Sequence, residues 1–394
     1  MGVNDTTNYY NQVSAVLNSL LGQNRGGNLV SVDSGTFTSV FSTGFTVQND
    51  PITTQLPLLI GETLYESRPW ESSLKTLYMD SQTYGFVTRK VSYCDEDMEN
   101  SGSYPTALGE DGTSSDMYKI SRPSILVSKV TGTNVWQKHK TIFRNQWDGA
   151  FRNADEAMQF IAGLTQEVKN SLEQSIDSLA RGMMANYIGG KISATNGVIH
   201  LLTEYNTETG LSLTATSIYQ PENFAPFMRW AWARINSVSD LMEDKTRNFQ
   251  LQITGKNISR TTPKAYQKLF IYSPMYRKVE ANTYATTYHD EIIRYNSFEL
   301  VNYWQSSANG SAINVTPTFI DVADGTIKKA TAAVSQANIF AVLVDRDTMG
   351  YTIFDNFEGV TPFNYEGDYR NMYWKNSIRY QEDFTEKGAI FVLD

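Results

Sequence analysis

The residues able to do chemistry are few. The 394-residue chain has three histidines, His139, His200 and His289, and one cysteine, Cys94. A structural zinc site takes about four thiol and imidazole ligands, so only carboxylate-rich metal sites remain open. One cysteine also excludes an intrachain disulfide and with it a secreted disulfide scaffold. His289 precedes Asp290 in TYHDEII, but adjacency does not make a dyad, and a solvated histidine at a helix end is the simpler reading. No phosphate-binding, dinucleotide-binding, nucleophile-elbow or zinc-protease motif occurs, and nothing asks for a cofactor.

The densest chemical feature is CDEDMENSGSYPTALGEDGTSSD (94–116), with seven acids and no Lys or Arg. Asp95, Asp97 and Glu99 could offer oxygen to a hard cation, yet the glycine and bidentate glutamate of a calcium loop are not at their spacing. A solvated loop is the plain alternative. A third reading is intermolecular: Asp95, Glu96, Asp97, Glu110 and Asp111 at a protruding tip meet Lys138, Lys140 and Arg144 of a neighbouring copy.

Seven tryptophans and 23 tyrosines could stack on sugars, and paired carboxylates could hydrolyse glycosidic bonds. No carboxylate pair is marked out for that work, and Trp230 falls on the apolar face of a helix. The net charge of −9 argues against a protein that grips a phosphate backbone, which needs a basic stripe to release counterions. It leaves room for a wall that encloses DNA without holding it. The opening MGVNDTTNYYNQ lacks the basic and apolar segments of a signal peptide, and the apolar run IFAVLV (339–344) is far too short to span a bilayer. A soluble cytoplasmic product is expected.

Elements must position these residues, and the length predicts two or three structural units. Residues 1–60 hold one short helix near Asn8–Leu21 and then a Gly-, Ser- and Thr-rich stretch that cannot form its own core. YGFVTRKVSY (84–93), SILVSKV (124–130) and NVWQKHKTIFRN (134–145) read as strands around the acidic tip, a protruding hairpin. A spine helix follows, capped by Asn153, with Met158, Ile161, Leu164, Val168, Leu172, Ile176, Leu179, Met183 and Tyr187 at helical spacing. Asp177 and Arg181 form an i,i+4 pair on its exposed side. Gly189–Gly190 is its expected stop, and Gly182 inside it predicts a close backbone contact. GVIHLLTEY (197–205) and TGLSLTATSIY (209–219) read as strands, and 223–243 as a helix. KLFIYSPMYRKVEAN gives strand, Ser273 cap, Pro274 at the first helical position and helix. Strands follow at 299–304, 338–344 and 351–357, and RNMYWKNSIRYQEDF with AIFVLD makes a terminal hairpin.

The spine NADEAMQFIAGLTQEVKNSLEQSIDSLARGMMANYIGG, the strand–cap–helix KLFIYSPMYRKVEAN, and NIFAVLVDRDTMGYTIFDNFEG leading to RNMYWKNSIRYQEDFTEKGAIFVLD together resemble the major capsid proteins of tailed phages with the Hong Kong 97-type fold. Small podoviruses of Gram-positive hosts are nearest in character. The resemblance implies an α+β fold with an N-terminal arm (1–60), an extended β-hairpin loop (61–150), a peripheral domain with the spine (151–222 and 356–394) and an α/β axial domain (223–355). It implies homo-oligomeric pentamers and hexamers in an icosahedral shell around double-stranded DNA, a portal and a scaffolding protein as partners, and no catalysis. Some relatives crosslink through Lys–Asn isopeptide bonds; no such constellation can be matched here. A tail or fibre protein, or a carbohydrate-active protein, is the alternative.

Overall fold

Apolar residues recurring in steps of three and four over 40 positions make one helix, α1 (Ala154–Ser193), about 60 Å long at 1.5 Å per residue. The computed structural model describes residues 72, 74–79, 87–95, 123–131, 134–144, 154–286 and 298–394. The N-terminal arm with its helix, the cap Asn153, most of the acidic tip and His289 lie outside the described residues. In chain order the strands are β1 (Thr88–Tyr93), β2 (Ile125–Val130), β3 (Asn134–Phe143), β4 (Val198–His200), β5 (Gln267–Tyr272), β6 (Phe298–Val301), β7 (Ile313–Val315), β8 (Thr318–Ile320), β9 (Ile327–Lys329), β10 (Val334–Gln336), β11 (Ile339–Asp345), β12 (Met349–Val360), β13 (Tyr369–Glu382) and β14 (Gly388–Val392). The other helices are α2 (Leu201–Thr209), α3 (Pro221–Glu243) and α4 (Ser273–Thr286).

A mixed sheet in the order β4-β14-β11-β5-β6 forms the centre. Its strands read as continuous apolar runs because both faces are covered. Phe270, Val342, Val344, Ile390 and Val392 face α1, while Leu269, Ile271, Leu343, Ala389 and Phe391 face α2, α3 and α4. The alternation slips once in β11, where Phe340 and Ala341 both face the helices. The register shift between Ile339 and Ala341 is the bulge that produces it.

A second, antiparallel sheet, β12-β13-β3, lies on the spine. Along β13, Arg370, Met372, Trp374, Asn376 and Ile378 are buried and the residues between them half-exposed, the period of two that a one-faced strand requires. The third unit is the antiparallel hairpin β1–β2, in register from Thr88↔Val130 to Tyr93↔Ile125. A lone two-stranded ribbon is marginal in water, and no residue of this one enters either apolar core.

Several sequence expectations are corrected. β3 pairs with β13, not with the protruding hairpin. Residues 201–209 are helical rather than extended, with Gly210 in the left-handed conformation (φ 71°) closing α2. Residues 211–216 form no strand and lead into a short 3-10 turn at Ser217–Tyr219. β13 and β14 belong to different sheets, so the terminal hairpin is β12–β13 instead. The Asp177–Arg181 pair is buried: Asp177 accepts from Ser72 Oγ at 2.6 Å and from Arg181 Nε at 2.7 Å. Arg181 also lies 3.9 Å above the Tyr303 ring.

The glycines reverse their expected roles. α1 continues past Gly189–Gly190 to Ser193. These two positions are close-approach points: a Cβ on Gly189 would meet Val315 at 2.7 Å, and one on Gly190 would meet the Phe384 ring at 2.6 Å. Gly182 is exposed with nothing within 4 Å of its missing Cβ. In thermal unfolding of the unassembled subunit, Gly182→Ala therefore raises stability by up to about 1 kcal/mol through helix propensity. Gly190→Ala lowers it by about 1–3 kcal/mol through overpacking; equal melting temperatures for the two variants would contradict this assignment.

Candidate assembly site at the base of the hairpin

The segment Asp383–Lys387 carries the chain from β13 in one sheet to β14 in the other, directly under the end of α1. Its polar groups are inside the protein and must find partners there. Asp383 Oδ1 accepts from the Thr385 amide at 2.9 Å, and the Asp383 amide donates to Thr348 O at 2.7 Å. The Lys387 amine is fully buried and donates to Met242 O at 3.1 Å, Asp244 O and Thr246 Oγ1 at 3.0 Å. It is a tethered cation at the negative end of α3. Lys191, at the end of α1, is also fully buried and donates to Phe249 O at 2.6 Å and Asn196 Oδ1 at 3.2 Å. Burial pulls the Lys191 amine down to about 7, and Lys387 down to about 8. Gly388 is required beside them, because a Cβ there would fall 2.2 Å from the buried Tyr187 hydroxyl.

The same turn grips the hairpin. β1 alternates an outward residue with one aimed at the body, and Thr88, Lys90 and Ser92 take the inward positions. Lys90 Nζ pairs with Asp383 at 2.6 Å and with Glu386. Arg260 completes the cluster: it contacts Glu386 at 2.9 Å, Thr385 O at 2.9 Å and Ser92 Oγ at 3.0 Å. Arg379 donates to Thr88 Oγ1 at 2.6 Å, and Lys256 to Ser124 Oγ at 2.8 Å. Burial opposes every charge here. It pushes Asp383 up, but the Lys90 charge and the hydrogen bonds of Lys90 and Thr385 outweigh it and hold the carboxyl below its ordinary value. At Glu386 burial prevails over Lys90 and Arg260, and the carboxyl is raised. Burial would lower Lys90, yet its two acids leave it raised.

Of the acids singled out in sequence, Asp95 is described. It sits at the foot of the hairpin, where its side chain accepts from Ser259 Oγ at 2.5 Å and Arg247 at 3.4 Å, with Lys245 at 3.8 Å. The Ser259 hydrogen bond first, then the two cations, hold it below its ordinary value despite some burial. Tyr93, Cys94, Asp95, Lys245, Arg247 and Ser259 line an open cleft of about 480 Å³. Glu96, Asp97, Glu110 and Asp111 lie outside the described residues. Lys138 and Lys140, on β3, reach Glu167 of the spine at 3.9 and 3.2 Å. The Arg144 amide donates to Asp368 O at 3.0 Å. Lys138 and Lys140 therefore face the chain's own helix, apart from Asp95. The residues that sequence reasoning missed are Lys90, Arg260, Asp383 and Glu386; period-two placement of Lys90 in β1 was the only available hint. Of the tryptophans considered for sugar stacking, Trp232, Trp304 and Trp374 are buried and Trp136 is exposed, and Trp230 Nε1 donates to Glu208 at 2.7 Å. No helix among the described residues is long and apolar enough to cross a membrane.

Comparison with known proteins fits this architecture. The profile of the Phi29-like phage major capsid protein family matches residues 14–382. The fold is similar to a chain in the capsid structure of Staphylococcus phage Andhra, with TM-score 0.53 and 9% identity, covering 83% of this chain and 86% of that one. It is similar also to a chain in the structure of the head fiber and inner core protein gp22 of bacteriophage P68, with TM-score 0.54 and 11% identity, covering 83% and 86%. The comparison with curated proteins finds no match.

Two measurements check the electrostatics. Lys90→Met leaves Asp383 and Glu386 short of a cation. Amide exchange in residues 88–93 and 125–130 is expected to accelerate about tenfold or more, a change of about 1.4 kcal/mol, while β11 exchange stays unchanged. Glu382, beside Asn186, is raised by burial to about 8 from an ordinary 4.5. A carboxyl raised on folding takes up a proton, so its contribution to stability declines between those pH values and levels off above the higher one. Glu382→Gln is expected to flatten that slope and to melt higher than the parent at pH 8; parallel melting curves across the range would refute it.

Proposed function

Because the chain belongs to the Phi29-like phage major capsid protein family, and so is a phage head structural protein, we propose that its copies assemble as pentamers and hexamers into a closed icosahedral shell around double-stranded DNA. The observation that carries the detail is the β1–β2 hairpin: its residues enter neither apolar core, and ion pairs and hydrogen bonds join it to the described residues of the body. An element that cannot stabilise its own subunit is explained by contacts with the next one. We assign the chain to the Hong Kong 97-type fold, with the arm at 1–60, the extended loop within 61–150, the spine and β12–β13 in the peripheral domain and 223–355 in the axial domain. Pairing of β3 with β13 and of β14 with β11 favours counting β3 as peripheral and 388–392 as axial.

A portal and a scaffolding protein are the expected partners, a small podovirus of a Gram-positive host the expected source, and the host cytoplasm the expected place of synthesis. The charge of −9 suits a wall that repels packed DNA and later releases it. Contacts through the acidic tip fall to Glu96, Asp97, Glu110 and Asp111, since Asp95 is held within its own chain. Their targets remain Lys138, Lys140 and Arg144 of a neighbour. The pairs of Lys138 and Lys140 with Glu167 are partly exposed and weak enough to exchange.

Expression of the chain with its phage's scaffolding protein, followed by sedimentation and negative-stain microscopy, tests the proposal. Closed particles tens of nanometres across are expected. A chain that remains monomeric under these conditions sinks it.

A further inference from the structure

The end of the spine helix holds a cation with no anion of its own. Lys191 is fully buried, and its amine donates to two neutral oxygens, Phe249 O at 2.6 Å and Asn196 Oδ1 at 3.2 Å. Burial drives the amine down to about 7. Asp383, the acid that opposes this, is already engaged by Lys90 and Thr385.

The neutral partner Asn196 precedes Gly197, one of two Asn–Gly pairs in the chain; the other is Asn309–Gly310. This dipeptide loses ammonia readily, because glycine has no side chain to shield its amide nitrogen from the asparagine Cγ. The two pairs are held differently. The Gly310 amide donates to Ser306 O at 3.2 Å and the Asn309 side-chain amide to Gln305 Oε1 at 3.2 Å, so both reacting groups are engaged. The Gly197 amide has no partner among the described residues. Asn196 and Gly197 are both half-buried, within reach of water, and Gly197 takes φ 70° in the turn leaving α1. The Lys191 amine donates to the oxygen on which negative charge grows when Cγ is attacked, and a donor placed there lowers the barrier.

We propose that Asn196 is a modification site, converted after folding to aspartate through a succinimide formed with Gly197, and that the new carboxylate becomes the counter-ion of Lys191. The Gly197 nitrogen bonds to Asn196 Cγ and gives up its proton, and the Cγ–Nδ2 bond breaks to release ammonia. Water then adds at Cγ, the bond from Cγ to the Gly197 nitrogen breaks, and that nitrogen regains a proton. One water is consumed, one ammonia leaves, and nothing is oxidised or reduced. Opening at the main-chain carbonyl would instead insert a carbon into the backbone. The main chain is fixed on both sides, the Asn196 amide donating to Lys191 O at 3.1 Å and the Ile390 amide to Gly197 O at 2.8 Å, so the fold selects ordinary aspartate. A cation already inside the protein gains a partner without a second one having to be buried.

Peptide mass spectrometry of the unassembled subunit, held at mildly alkaline pH and sampled over time, tests this. The ratio of amide-to-acid conversion at 196 to that at 309 is expected to be about tenfold larger in the folded subunit than in denaturant, with aspartate the main folded-state product at 196. Lys191→Met is expected to slow the folded-state reaction at 196 about tenfold and to leave 309 unchanged. Asn196→Asp supplies a readout should Lys191→Met not fold: it is expected to melt above freshly prepared parent, with aged parent shifting towards it. An equal or smaller ratio in the folded subunit, isoaspartate as its main product, or a reaction indifferent to Lys191→Met overturns the proposal. So does a lasting loss of ammonia without uptake of water, as a direct Lys191–Asn196 bond would give, or an Asn196→Asp variant that melts no higher than the parent.

Discussion

The chain crosses from the three-stranded to the five-stranded sheet through Asp383–Lys387, and this crossing is covered by the end of the spine helix. A polar turn in that position has little access to water, so its charges and carbonyls need protein partners. Lys387 meets the last carbonyls of α3, Asp383 and Glu386 meet Lys90 and Arg260, and Gly388 leaves room for Tyr187. Through these contacts one turn sets where α3 ends, where the 244–262 loop runs and how the hairpin leaves the body. Lys191 adds a second buried amine to the same loop through Phe249 O, a residue held at φ 63°.

Two kinds of cohesion follow. The central sheet and its helices are joined by apolar side chains buried on both faces, an arrangement insensitive to salt and lost only by unfolding. The hairpin is joined by charges and hydroxyls. Burial makes those charges costly without their partners, which gives the docked position a definite geometry. Removing the partners frees the hairpin without opening the core. For a subunit that must join several neighbours, this separation lets the body stay rigid while its projecting ribbon adjusts.

The spine has a matching division. Near its end, Met183, Met184, Tyr187, Ile188 and Lys191 are all buried, enclosed by both sheets and by the β7 and β8 strands that approach Gly189 and Gly190. Between 165 and 175 Thr165 and Val168 are buried while the other residues are partly or fully exposed, and Glu167 reaches outward to the lysines of β3. One continuous helix thus links a fully packed centre to a peripheral sheet buried on one side only.

What could be read from sequence was whatever is local. The 3.6-residue period of α1, the strand–Ser–Pro–helix signal at 267–286 and the apolar run of β11 predicted their elements because each segment's own pattern contains the information. Period two likewise identified β1, β2 and β3 as strands. It could not say which strands pair, since antiparallel edges of similar composition are interchangeable until a third layer selects between them; hence β3 joined β13, and β13 parted from β14. Leu201–Thr209, read as extended, became helical because burial of Leu201, Leu202 and Tyr205 against α3 overrode weak local preference. The Asp177–Arg181 pair looked like a solvated helix face and proved buried, because Ser72 and Tyr303, distant in sequence, close over it. The sequence by itself determined the resemblance to phage capsid proteins, the elements whose pattern is local and strong, and the absence of a recognisable catalytic motif. Only the tertiary structure decided the clasp of Lys90, Arg260, Asp383 and Glu386, because a charge pair spanning nearly three hundred residues has no local signature.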